Sequence, residues 1–307
     1  MGTETGIEWT DHKFNPWIGC TKVSDGCRNC YAATRDARHL MGPEDHWGPG
    51  APRKSAKAKY WELPGKWAEM AEAEGKRHKV FTASMADIFD AEAPLLERRT
   101  LWGIIERTSK WLDWQIVTKR PERIRGTLAE DRRDWRFFKV NRCWLLTSTE
   151  DQKAADARIQ PLVEVPAAIH GISAEPLLGE INLHALPWYR KDTLFDAITG
   201  SLYHAKTGQN VGHQKGLDWI IAGGESGARA RRCDPAHVLA LRDQALKTGT
   251  AFFFKQWGEW LPPMTDGALV EGIQALNSSD DFVKVGKKKS GALLEGQTWR
   301  MFPKVAA

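Results

Sequence analysis

The chain has 307 residues, 42% of them hydrophobic and 27% charged, with a net charge of +5. That composition excludes a disordered tail or a fibrous protein and suits one large globular domain or two modest ones. No apolar run approaches the roughly 20 residues of a membrane span, and "MGTETGIEWTDHKF" lacks the basic and apolar regions of a signal peptide, so a cytoplasmic location is expected.

The first feature along the chain is "NPWIGCTKVSDGCRNCYAATRDARH", residues 15–39. It holds three of the five cysteines, Cys20, Cys27 and Cys30, in a C-x6-C-x2-C array. An odd cysteine count, with Cys143 and Cys233 far from the trio, speaks for a reducing compartment rather than a disulfide framework. Cys143 and Cys233 read as small packing residues. Thiolates are soft ligands for zinc, copper(I) or iron–sulfur clusters. A structural zinc site needs four protein ligands, and near the trio only His12 offers a fourth, at no common zinc spacing. Three cysteines suit a [4Fe–4S] cluster with one open iron. The Ser-Asp-Gly turn before Cys27 lets the backbone bend around such a group.

A first strand is expected near Trp17–Gly19, entering the cysteine loop. Further runs of apolar residues follow at 79–89, 113–120, 143–150, 167–176, 218–227 and 251–260, each ending in polar groups. Short continuous apolar runs read as strands buried on both faces, as in parallel sheets. Helical spacing lies between them, as in 94–110 (Leu101, Ile104, Ile105, Thr108). In 234–249, Asp234 is a cap, Pro235 stands at the first helical position and Gly249 is the stop. The fold class is therefore α/β, an incomplete TIM-like (β/α) barrel of about six or seven mostly parallel strands. Residues 188–216 read as a hairpin-like insertion, within a barrel domain of residues 1–261. Residues 262–307, with "NSSDD" and "GKKKSG", read as a C-terminal appendage.

In parallel α/β folds the carboxyl ends of the strands form the active face. The residues there are Ser84 and Asp87, Lys119 and Arg120, Ser148 and Glu150, Glu175, Glu225, and Lys255 with Gln256. A lysine at the end of an apolar strand, as Lys255 is, needs a carboxylate or an anionic ligand, and a carboxylate at a strand end, as Glu175 before Pro176, must itself be paired; each is a candidate catalytic group. Ser148 and Glu150 suit ribose hydroxyls, or a helix cap with a first-turn acid. From Lys119 to Arg142 there are nine Lys/Arg against four Asp/Glu. With Arg229, Arg231 and Arg232 after the "GGESG" turn, this stretch is the candidate nucleic-acid surface. Some of the 15 tryptophans are available to stack bases.

"IEWTDHKFNPWIGCTKVSDGCRNCYA", "SMADIFD", "VTKRPER", "SAEPLLGEINL", "WIIAGGESGARARRCDP", "FFFKQWGEW" and "LLEGQTWRMFP" resemble the phage gp thirty-seven/gp sixty-eight, or three-Cys-motif, family. That family is considered similar to radical S-adenosylmethionine enzymes. The resemblance implies a [4Fe–4S] cluster on Cys20, Cys27 and Cys30. It also implies S-adenosyl-L-methionine as cofactor, an external electron donor and a 5′-deoxyadenosyl radical as the working species. The first cysteine gap is six here, against three in the common radical-enzyme pattern, and Tyr31 follows the third cysteine. Tyr31, Ser84, Asp87, Ser148, Glu150 and Glu225 are the expected cofactor contacts, with Asp87 placed to receive the methionine ammonium. The implied substrate is a nucleic-acid base, such as a hypermodified thymidine in phage DNA, with a small molecule or peptide as the alternative. A partner protein encoded nearby is a further expectation. A zinc-stapled basic module that grips nucleic acid without catalysis is the competing class.

Overall fold

The apolar runs become strands because β-branched and aromatic residues fill a surface buried on both faces. In the computed structural model, which describes residues 5–38, 45–262 and 281–305, seven strands make one sheet. They are His12–Phe14, His78–Thr82, Leu112–Thr118, Trp144–Ser148, Ile169–Ala174, Trp219–Ala222 and Ala251–Phe254, called first to seventh below. Their order in the sheet is their order in the chain. Parallel pairing joins His12 to Val80, His78 to Leu112, Gln115 to Trp144 and Trp219 to Ala251. Helices Leu63–Glu74, Leu95–Thr108, Ile124–Glu130, Gln152–Val163 and Pro235–Thr248 lie between them in the chain. A strand order without reversal is that of a barrel, not of a doubly wound sheet. The fold is an incomplete, TIM-like (β/α) barrel.

One expectation is corrected at the start. The first strand is His12–Phe14, whereas Trp17–Ile18 forms a two-residue antiparallel ladder with Lys54–Ser55. His12 and Lys13 hide this strand from a search for apolar runs.

The chain divides into two compact units: Met1–Ser148 with Ala157–Gly171 and Val305–Ala307, and Thr149–Asp156 with Ile172–Lys304. The first has an aromatic core. Phe14 stacks on Tyr60 and meets Trp114 and Trp67 edge-on. Phe89, Trp102, Phe137 and Phe138 form a second knot. Trp17, Trp102 and Trp114 are wholly buried, and each such side chain contributes roughly 2–3 kcal/mol of apolar burial. Helix Leu95–Thr108 lays Leu101, Ile104, Ile105 and Thr108 into this core.

In the second unit, Asp234 accepts from the Ala236 amide at 2.9 Å to cap helix Pro235–Thr248, and Gly249 ends it at φ 75°. The inserted segment is a four-stranded antiparallel sheet made of Leu186–Pro187, Thr193–Phe195, Ser201–His204 and Asn210–His213. Of the expected appendage, the described residues 281–304 belong to this unit. Val283–Lys284 pairs with Trp260–Leu261. The final segment runs beside the seventh strand, with Phe254 N donating to Trp299 O at 2.9 Å and Met301 N to Phe252 O at 3.1 Å. That pairing occupies a sheet edge that would otherwise be left open. Apart from Asp281, the "NSSDD" turn lies outside the described residues. Among the described residues, no helix is long and apolar enough to cross a membrane.

Candidate functional site

In the first unit the site grows from the ends of the first three strands. Beyond Phe14, Asn15 Oδ1 accepts from Ser84 Oγ at 3.1 Å and from Met85 N at 2.9 Å. The Tyr31 hydroxyl donates to Ser84 O at 2.6 Å. Gly19 N donates to Met85 O, and its φ of 113° with a β-carbon position 2.2 Å from His46 O leaves room for glycine alone. Cys20 is thereby fastened beside the loop that follows the second strand.

Arg120, just after the third strand, is buried and reaches Cys20 with Nη1 3.5 Å from Sγ. The same guanidinium donates to Thr21 O and pairs with Asp87 at 2.9 Å and Asp90 at 3.4 Å. Asp87 is saturated: Oδ1 accepts from Phe89 N and Thr118 Oγ1, Oδ2 from Lys119 N and Arg120 Nη1. Four donors fill the lone pairs of a carboxylate, and through one of them Asp87, the expected acceptor of a cofactor ammonium, holds Arg120. Arg53 braces the far side, bound to Asp90 at 2.7 Å, to Glu92 at 2.6 Å and to Thr21 Oγ1 at 2.8 Å.

Cys27 ends a 3-10 turn, Asp25–Cys27, whose amide donates to Ser24 O at 2.9 Å. The carbonyl of Cys30 accepts from Thr34 N and Oγ1 at the start of helix Tyr31–Arg38. All three thiols are free and partly exposed, whereas Cys143 and Cys233 are free and buried, as packing residues are. Burial, and next the Asp87 carboxylate, push the Cys20 thiol up to about 12, against the pull of Arg120. Among the described residues no three His, Cys, Asp or Glu side chains lie close enough together to hold one ion. The fit to a soft metal or iron–sulfur group lies in donor chemistry: three free thiols on one segment and a guanidinium N–H aimed at one sulfur. His12, the expected alternative fourth ligand, is buried. Its Nε2 is hydrogen-bonded to His78 Nδ1 at 3.0 Å and its ring stacks on Trp67.

In the second unit Glu175 follows the fifth strand and Lys255 the seventh. Lys255 Nζ sits 2.7 Å from both Glu175 oxygens, supplying the carboxylate its position called for. Gln256 Nε2 bridges Glu175 Oε1 at 3.2 Å and Gly224 O at 2.9 Å, while its buried Oε1 has no partner. Gly224 has no space for a side chain, since a β-carbon would lie 1.9 Å from Trp257 O.

Several other candidates have partners of their own. Buried Glu225 accepts from Arg231 N, Nε and Nη2 at 2.8, 2.9 and 2.7 Å, so these two residues close their own loop. Ser148 and Glu150 are buried, and Asp151 caps helix Gln152–Val163 through Ala154 N. Arg229 and Arg232 are exposed, Lys119 is half-buried, and Arg120 is interior. The basic stretch spends much of its charge internally: Arg123 on Phe89 O, Arg125 on Glu164 O, Arg133 on Glu106 and Arg136 on Asp134. Arg53 and Asp90 were not among the expected residues. Asp90 lay in view at the end of "SMADIFD", but Arg53 carried no signal.

A family model described as "Protein of unknown function (DUF5131)" matches residues 4–303. The chain belongs to the DUF5131 family. No curated protein and no solved structure matches it. The DUF5131 match spans both units, so the thiol-bearing loop and the Glu175–Lys255 pair lie within one family unit of sequence.

Proposed function

We propose that this chain is a radical S-adenosylmethionine enzyme whose substrate is a base in nucleic acid. The observation that carries the reading is the Cys20–Arg120–Asp87 arrangement, in which a soft ligand on a three-thiol loop receives a guanidinium donor at the carboxyl ends of barrel strands. A [4Fe–4S] cluster on Cys20, Cys27 and Cys30, when bound, supplies the electron that cleaves the cofactor sulfonium. Arg120 donates a hydrogen bond to the Cys20 sulfur, and hydrogen bonds to sulfur tune cluster potential. Asp87 and Asp90 hold Arg120 in place, and Arg53 holds Asp90. Asn15 and Tyr31 set the Ser84–Met85 loop, with Ser84 Oγ the polar group it offers. In the second unit, Lys255 Nζ donates to both oxygens of Glu175 and is the group to hold or orient a polar substrate atom.

The test is anaerobic purification with iron and sulfide reconstitution, an absorption spectrum, and an assay for 5′-deoxyadenosine from S-adenosylmethionine and a reductant. A brown protein that releases 5′-deoxyadenosine, with both properties lost in Cys27→Ala, supports the reading. A colourless protein with stoichiometric zinc and no cleavage overturns it in favour of a binding module.

A further inference from the structure

The fifth, sixth and seventh strands are neighbours in the sheet and end side by side in the second unit. Their backbones are tied there: Gly223 N donates to Ala174 O at 3.1 Å, Leu177 N to Gly223 O at 3.0 Å and Lys255 N to Ala222 O at 2.8 Å. Side chains on such a frame hold their geometry better than side chains on a free loop. Glu175 and Lys255 both pack against Gly223, which brings no side chain of its own. A β-carbon there would stand 3.4 Å from Lys255 Cβ and 3.6 Å from Glu175 Cδ. Gln256, 4% exposed, fastens the carboxylate through Nε2, and its own buried Oε1 has no partner.

The ion pair does not exhaust its own groups. Lys255 Nζ carries three protons and engages at most two of them with Glu175. A carboxylate has about four acceptor sites. Glu175 uses two on Oε1, for Lys255 and Gln256, and one on Oε2, for Lys255. One N–H of Lys255 and one lone pair of Glu175 Oε2 are left next to each other, on side chains 16% and 21% exposed and so within reach of a ligand. We infer that this pair reads the –CO–NH– edge of a lactam base, whose carbonyl oxygen accepts from Lys255 Nζ and whose ring N–H donates to Glu175 Oε2. Such a neutral edge uses both groups without breaking the ion pair. An amino-acid zwitterion fits less well, because its ammonium brings three donors to one lone pair and competes with Lys255. The amidine edge of adenine or cytosine pairs a less acidic N–H with a ring nitrogen, so carboxylate and ammonium each form the weaker charge-assisted bond. The inference rests on the base-substrate part of the proposed function and narrows it to thymine, uracil or guanine.

The experiment is a ligand-observed NMR titration of the full chain, free of iron, with thymidine, 3-methylthymidine, deoxyguanosine, deoxycytidine, deoxyadenosine and methionine. Thymidine and deoxyguanosine bind more tightly than the other nucleosides. Methylation of the thymidine ring nitrogen weakens binding about tenfold or more, the worth of one hydrogen bond to a charged group. Glu175→Gln/Lys255→Met removes both charges together, so that neither is stranded, and there thymidine and its methyl derivative bind within about twofold of each other. The methylation comparison uses the unaltered chain, so the test stands should the variant fail to fold. Equal binding of thymidine and 3-methylthymidine, tighter binding of deoxycytidine, deoxyadenosine or methionine than of thymidine, or discrimination kept in the folded double variant overturns the inference. Nucleosides bound without preference for the lactam edge overturn it alone, whereas no nucleoside bound overturns the base reading with it. The titrations need no cluster, and 5′-deoxyadenosine release is measured without nucleosides, so the radical chemistry is judged separately.

Discussion

Asp87→Ala removes one acceptor from four donors and leaves the Arg120 guanidinium, 6% exposed, without its nearer partner. Breaking a buried ion pair from one side costs about 3–5 kcal/mol. Asp90, 3.4 Å from the same guanidinium, offsets part of the loss, while the Phe89 and Lys119 amides lose their acceptor. With a urea dependence of roughly 3 kcal/mol per molar for a chain of this size, the unfolding midpoint drops by about 1 M. The mirror change is milder. In Arg120→Met, Asp87 keeps Thr118 Oγ1, Phe89 N and Lys119 N, so the expected cost is about 1–2 kcal/mol. Urea unfolding of the two variants and their double mutant, followed by circular dichroism, measures both effects and their coupling. An Asp87→Ala shift below about 0.3 M, or an Arg120→Met shift larger than that of Asp87→Ala, refutes the idea that this carboxylate is the hub.

The Cys20 thiol, held above its ordinary value chiefly by burial and then by Asp87, is alkylated by iodoacetamide at pH 8 more slowly in the folded chain than in urea, as followed by peptide mass analysis; equal rates contradict the upward shift. Burial first, and then neighbouring His78, hold the His12 imidazole below its ordinary 6.5. The folded chain thus binds this proton less readily than the unfolded chain, so stability is full above pH 6.5 and falls as pH drops through 6.5 toward the folded value. His12→Gln flattens that slope in urea midpoints compared between pH 7.5 and 5. Gly258→Ala, at φ 84° with its β-carbon position 2.2 Å from Glu225 O, costs at least about 3 kcal/mol and shows as lost soluble yield or a lowered melting temperature. Glu175→Gln strands the Lys255 ammonium, 16% exposed, and costs about 2 kcal/mol, most of it recovered when Lys255→Met is added; a double mutant no better than the single variant argues against the pairing.

Periodicity and local chemistry made much of this protein legible before its structure. Six of the seven strands are apolar runs whose burial on both faces dictates their composition, and Asp234, Pro235 and Gly249 mark a helix by groups that act within one turn. The three thiols announced themselves by spacing, and the lone lysine after the seventh strand announced its need for a carboxylate. The first strand did not, because three residues that include His12 and Lys13 owe their place to pairing with Val80–Thr82 rather than to their own hydrophobicity. Nor could the chain disclose which cations are spent. Lys119 and Arg120 are neighbours in sequence, yet Arg120 is buried against Asp87 while Lys119 is half-buried. Propensity, capping and burial pattern act between near neighbours, so the sequence alone determines them. The partner of a charge is set by which distant segments the sheet brings within hydrogen-bonding reach: Arg53 to Asp90, Arg120 to Cys20, Lys255 to Glu175, and Lys284 to the loop at Ala228. Only the tertiary structure decides that, because the Coulomb and desolvation terms that choose the partner depend on distance in space and on access to water.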